Sequence, residues 1–161
     1  MINPKPNLIL AIDPGVTGAL ALYNLSTSQL EDVQDLPSKH VGKKIRIDSA
    51  ILALTIENVA PRVRFALIEE VGAMPKNGSV SMFSFGHTAG TIHGIITANM
   101  IPQIYVHPGV WKGALGLSSN KEESLAKAIK LFPAHAHLFS RKKDHGRAEA
   151  ALLAIFGARH A

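Results

Sequence analysis

The stretch from Leu8 to Leu22, LILAIDPGVTGALAL, holds two apolar runs separated by Asp13-Pro14-Gly15, with a second glycine at Gly18. It reads as a buried strand, a tight turn and a second buried strand. Asp13 ends the first strand at the edge of the core. An ionised carboxylate there is costly unless a cation or hydrogen-bond donors compensate it. Alone, Asp13 also has a reading as a turn aspartate bonding its own backbone. Acids delivered by other segments to the same kind of position favour a bound cation.

A second such acid closes RFALIEEV (Arg64 to Val71), where a strand-like run ends in Glu69 and Glu70 and the chain turns at Gly72. Adjacent strand residues face opposite sides, so both cannot address one ion, and Glu70 reads as a solvated neighbour. A third group lies in KKDHGRAEAALLAIF (Lys142 to Phe156), with Asp144, His145 and Glu149 opening a final helix. Glu149, Leu152, Leu153 and Phe156 recur at offsets of three, four and seven, the spacing of a buried helical face. Glu149 therefore points inward, eased by the positive end of the helix dipole. His145, four residues earlier, falls on the same face if the helix starts there. Asp144 has a second reading as the N-cap of that helix.

Oxygen donors from several elements suit a hard cation, Mg²⁺ or Mn²⁺, and two such ions can clamp both oxygens of a phosphodiester displacement. Zinc does not fit. There is no cysteine, and the eight histidines lack paired ligand spacing. His40, His107, His135, His137 and His160 read as loop residues, and His87 and His93 lie six apart on a helix and share no face.

IDPGVTGALAL, the later IEEV and the terminal DHGRAEAALLA together resemble the RuvC-type Holliday junction resolvases of the RNase H-like superfamily, over nearly the whole chain. The compact members from phage and prophage genomes, whose last acid is often Glu in an RAEA run, are the nearest likeness. The resemblance implies one RNase H-like nuclease domain over 1–161, a mixed five-stranded sheet with helices on both faces. It implies a homodimer that uses Mg²⁺, with Mn²⁺ as substitute and two ions per site, to nick two strands of a four-way DNA junction. Products with 5′-phosphate and 3′-hydroxyl ends follow from the same likeness. Carried over, the metal-binding acids are Asp13, Glu69 and Glu149, with Asp13 shared between the ions. The better-known members place an Asp or a His three residues before the last acid, where this chain has Gly146, so either the fourth ligand has moved to Asp144 or His145 or the site is weaker. Lys112 and Lys121 match basic positions near the junction-binding cleft.

Charge agrees with a polyanionic partner: 17 Lys and Arg face 12 Asp and Glu, a net +5 that already includes the acids of the site. Lys39, Lys43, Lys44 and Arg46 form one basic group, and Arg141, Lys142 and Lys143 form another beside the last helix. Each group is also consistent with a simple solvated face. A chain of 161 residues with 47% hydrophobic and 18% charged residues suits one globular core. No apolar run approaches a membrane span or a signal peptide, and a cytoplasmic location is expected, that of the host for a phage-encoded protein.

Strands are expected at Leu8 to Ile12, Ala19 to Leu25, Asp32 to Leu36, Arg64 to Glu70 and Gln103 to Val106. Helices are expected at Asp48 to Val59, at Ser79 to Asn99, and from a Ser119–Glu122 capping box to Leu131, where Pro133 ends it. Gly86, Gly90 and Gly94 leave one face of the long middle helix bare, either for packing on its own sheet or, as the resemblance implies, for a dimer interface. Met82, Phe83 and Phe85, in the segment Met74 to Phe85, read as core residues or as a wedge into unstacked bases.

Two other functions stay open. A sugar-kinase or actin-like ATPase fragment shares the Asp and Gly-rich hairpin but needs a second domain. A branched-DNA-binding protein with weakened cleavage is suggested by Glu149, where Asp is commoner, and by Gly146.

Overall fold

The computed structural model describes residues 6–70, 72 and 78–161. The first hairpin forms as its pattern requires. β1 (Leu8–Asp13) pairs antiparallel with β2 (Ala19–Asn24), with Asp13 opposite Ala19. The turn between them depends on Gly18, whose N–H donates to the Gly15 carbonyl at 3.1 Å. A Cβ on Gly18 would lie 2.0 Å from the Asp13 carbonyl oxygen, so no other residue fits there.

β3 (Gln29–Asp35) extends the antiparallel meander, while β6 (Val63–Glu69) and β7 (Gln103–Val106) add parallel to β1 on its other side. The order β3-β2-β1-β6-β7 is a mixed five-stranded sheet. β1 is buried on both faces, which is why it reads as an unbroken apolar run. Ile9, Ala11, Ala21 and Leu67 face one core, closed by Leu152, Leu153 and Phe156 of α5 (His145–Arg159). Leu8, Leu10, Ile12 and Ile68 face a second core, closed by Leu52 and Ile56 of α1 (Ser49–Val59) and by Ile92 and Ile96 of α2 (Ser79–Ala98). The α/β class, the five strands and the helices on both faces match the expectation.

Several features differ from the sequence reading. A separate two-stranded hairpin, β4 (Ser38–Val41) and β5 (Lys44–Ile47), follows β3, so His40 lies on a strand and not in a loop. A short helix, α3 (Pro108–Ala114), follows β7 and is capped by the His107 side chain, which accepts from Gly109 N–H at 3.1 Å. The expected Ser119–Glu122 box is not formed. α4 (Lys121–Leu131) starts later, and Asn120 caps it by accepting from Glu122 N–H at 2.9 Å.

The Gly86, Gly90 and Gly94 stripe does not pack on the sheet: a Cβ at any of the three would meet nothing within 4 Å. Phe83 is 69% exposed and Phe85 38%, so neither is a core residue. Positions 74–77 of the proposed wedge segment lie outside the described residues.

Candidate active site

The parallel register that sets Ile12 opposite Ile68 brings the next residues, Asp13 and Glu69, to the same end of the two central strands. Packing of α5 against β1 and β2 carries Glu149, one turn into the helix, to that end. Asp13, Glu69 and Glu149 line one cleft of about 260 Å³, together with Lys121 at the start of α4, His145 at the start of α5, and Phe85 of α2. Three acids far apart in sequence therefore share a site, as their positions at element ends imply.

Each acid has a distinct environment. Asp13 is pushed up to about 8 from the usual carboxylate range, first by burial and then by repulsion from Glu69 and Glu149, against the pull of Lys112 and Lys121. Glu69 is also raised by burial, opposed by a hydrogen bond from Trp111. The Trp111 Nε1–H donates to Glu69 Oε2 at 2.8 Å. Lys112 Nζ donates to Glu149 Oε1, also at 2.8 Å, and the fully buried Ser124 hydroxyl lies 3.5 Å from the same oxygen. α3 thus holds two of the three acids through consecutive side chains.

His145 and Lys121 are 2.8 Å apart, Nε2 to Nζ, and His145 Nδ1 lies 3.3 Å from the Lys142 carbonyl. A neutral imidazole with its proton on Nδ1 satisfies both contacts, donating to the carbonyl and accepting from the ammonium.

Asp144 does not join the cluster. Its side chain is 2% exposed and is held by Arg141: the backbone N–H donates to Oδ2 at 2.9 Å and the guanidinium to Oδ1 at 2.8 Å. Those bonds hold its carboxyl below the usual range. Nor does its side chain cap α5; it closes the short 3-10 turn Lys142–Asp144 that precedes the helix. Arg141 is thereby partly neutralised, Lys142 lies 4.0 Å from Glu122, and Lys143 is exposed.

Gly146 sits where a Cβ would be 2.9 Å from the Thr17 carbonyl oxygen and 3.3 Å from Asp13 Oδ2. The helix start is pressed against the first turn, and no side chain fits between them unless one moves. Among the described residues, no three His, Asp or Glu side chains stand close enough to enclose an ion as placed. Trp111 was missed by the sequence reading. Its only signal is an aromatic in a Pro- and Gly-rich stretch beside Lys112.

No family model matches the chain. A curated relative, the chloroplastic Holliday junction resolvase MOC1 of Chlamydomonas reinhardtii, is 29% identical over 122 residues, 73% of this chain. The match spans only 14% of that protein's length. Among solved structures, T. thermophilus RuvC in complex with a Holliday junction substrate superposes with a TM-score of 0.66 at 16% identity, covering 96% of each chain. Among the described residues, no helix is long and apolar enough to cross a membrane. The chain therefore shares the mixed α/β fold of that RuvC structure.

Proposed function

We propose that this chain is a one-domain, metal-dependent endodeoxyribonuclease that resolves four-way DNA junctions. In this reading it acts as a homodimer and cuts two opposed strands to leave 5′-phosphate and 3′-hydroxyl ends. The observation that carries the reading is the convergence of Asp13, Glu69 and Glu149 on one cleft. The likeness to a Holliday junction resolvase over 73% of the chain supports it.

The donor set fits a hard divalent cation. Burial and the neighbouring Glu69 and Glu149 push Asp13 up to about 8, so its ionised form lacks the compensating charge that a cation would supply. Asp13, Glu69 and Glu149 would hold Mg²⁺, with His145 as the additional donor. Bound there, the ions would acidify a water and neutralise charge on the scissile phosphate.

The chain's own groups do the rest. The paired strand ends fix Asp13 beside Glu69, and Trp111 fixes the Glu69 carboxylate. Lys121 presents an ammonium to an entering phosphate. His145 Nε2, freed when Lys121 turns to that phosphate, serves the ion or, in place of that role, takes and returns a proton. Because a junction has approximate two-fold symmetry, an isologous dimer would set two such clefts on opposed strands. The bare Gly86, Gly90, Gly94 face of α2 is open for that contact.

The test is cleavage of a labelled four-way junction beside a linear duplex, with Mg²⁺, Mn²⁺ or chelator, by the wild type and Asp13→Asn. Paired nicks confined to the junction, absent with chelator and in the variant, are the expected result. The Lys112–Glu149 ion pair favours one second reading, a branched-DNA-binding protein of weakened activity, because a lysine occupies an acid that the metal needs. Tight junction binding without nicks in either metal would select it.

A further inference from the structure

The β4–β5 hairpin lies outside the five-stranded sheet, and its residues do not line the cleft. Nine residues from Ser38 carry Lys39, Lys43, Lys44 and Arg46. The one acid bonded to them among the described residues is Asp48, 3.2 Å from Lys39. Gly42 has φ 61 in the two-residue turn between the paired Val41 and Lys44, the conformation a type II′ turn needs at its first central position. That turn puts Lys43 at the tip, and Lys43 and Lys44 are both exposed. Such a charged tip contributes nothing to the core and is a fit for a polyanion.

Its place relative to the cleft is defined by α2. Arg46 Nη1 donates to the Ser84 hydroxyl at 3.3 Å, and the next residue, Phe85, lines the cleft with Asp13 and Glu69. α2 covers one face of the sheet, whereas α5 covers the other and packs against α4, so the cleft lies at the strand ends between the two layers. DNA crossing the strand ends would meet Lys121 from one layer and the hairpin from the other.

The hairpin chemistry selects the kind of DNA. From Ser38 to Ile47 there is no Phe, Tyr or Trp, so the tip lacks the stacking platform that single-strand binding uses. Ammonium groups on a rigid turn address phosphates without reading bases. We infer that the β4–β5 hairpin grips the phosphate backbone of a duplex arm of the junction entering the cleft. This inference rests on the junction-nuclease reading.

The experiment is anisotropy of a labelled four-way junction in chelator across a salt series, with the wild type, Lys43→Ala/Lys44→Ala and Lys43→Arg/Lys44→Arg. Neither position lines the cleft, neither is bonded to an acid among the described residues, and equal thermal melts verify the fold. The alanine pair is expected to weaken binding about tenfold near 0.1 M salt and to reduce the log–log salt slope by about 1.8, for two lost phosphate contacts. The arginine pair keeps the wild-type slope, and the alanine pair at saturating concentration keeps the wild-type single-turnover rate. An unchanged slope in the alanine pair, with the wild type binding and cutting the junction, overturns the hairpin inference and leaves the nuclease reading intact. Weakened binding that sedimentation traces to a dissociated dimer also overturns it, since the tip would then join two copies. A wild type that binds no junction overturns the nuclease reading and this inference together.

Discussion

Trp111 Nε1–H donates to Glu69 Oε2 at 2.8 Å from an indole with no exposed surface. The bond crosses 42 positions of sequence, and it makes the α3 core anchor also the support of an acid in the cleft. Trp111→Phe should separate these roles, because phenylalanine keeps much of the packing and loses the donor. The expected loss of stability is about 2–3 kcal/mol, for a hydrogen bond to a charged group and a small cavity. Cleavage should fall about 10–100-fold with a raised Mg²⁺ requirement, as for a residue that orients a metal ligand. Junction binding in chelator should stay within about twofold, so single-turnover rates against Mg²⁺ concentration, beside anisotropy, check the split.

The neighbouring contact predicts a metal-dependent stability. Lys112 and Glu149 form a largely buried pair, with side chains 16% and 9% exposed. Lys112→Met leaves Glu149 without its cation, and losing one partner of such a pair costs about 3–5 kcal/mol. If Glu149 turns to the metal in the active state, Mg²⁺ replaces the lost ammonium. Thermal melts of Lys112→Met should then recover more with Mg²⁺ than wild-type melts do. Equal metal shifts in both proteins would mean that Glu149 stays with Lys112.

Asp13 contributes a pH dependence to the stability of the metal-free protein. Its proton affinity is higher folded than unfolded, so its contribution to stability is full below about 3.8 and is lost as pH rises through about 8. In chelator the wild type should lose several degrees of Tm between about pH 5 and pH 9. Asp13→Asn removes the titrating group, flattens that slope and raises Tm at the alkaline end. Mg²⁺ should restore the wild type there and leave the variant unmoved, and a differential scanning series in both conditions checks both signs.

What was legible in the sequence and what was not follow from the range of the interactions. The strands of LILAIDPGVTGALAL were readable because both faces of β1 are buried, and Glu149 because its neighbours repeat with the helical period. The β4–β5 hairpin was missed because KHVGKKIRI has too few apolar residues to read as two strands, although its turn glycine was visible. α3 was missed because Pro108, Gly109 and Gly113 depress helix propensity, and it is held by the burial of Trp111 and Leu115. Asp144 and His145 were inseparable in sequence. Only the fold puts one on Arg141 and the other at the cleft.

Gly146 stands where an Asp or His ligand was expected from the resemblance, and restoring one should harm this chain. A Cβ there would meet the Thr17 carbonyl oxygen at 2.9 Å, a backbone atom of the turn that Gly18 closes. Gly146→Asp adds a carboxylate beside Asp13, which already repels two others. Overpacking of this kind costs about 1–3 kcal/mol, and the added charge works in the same direction. Both Gly146→Ala and Gly146→Asp should melt lower in chelator, the aspartate more so. Neither should cut junctions faster than the wild type, and a faster Gly146→Asp in Mg²⁺ would refute the steric account.

Asp144 and His145 differ in what their loss should do, since Asp144 is tied to Arg141 and His145 lines the cleft. Asp144→Asn keeps the shape and weakens a charge-assisted bond, so it should cost about 1–3 kcal/mol of stability. Because its carboxyl is held below the usual range, that stability is present above about pH 4 and is lost as pH falls through its lowered folded value. The wild type and Asp144→Asn should therefore converge in Tm toward acid pH. Cleavage at 25 °C, where the variant remains folded, should stay within about threefold. His145→Ala removes a side chain that bonds Lys121 at the cleft, with little change in Tm. Its cleavage should fall about 10²-fold or more if the imidazole moves protons. A large rate loss in Asp144→Asn with none in His145→Ala would reverse the assignment and place the fourth donor on the residue now held by Arg141.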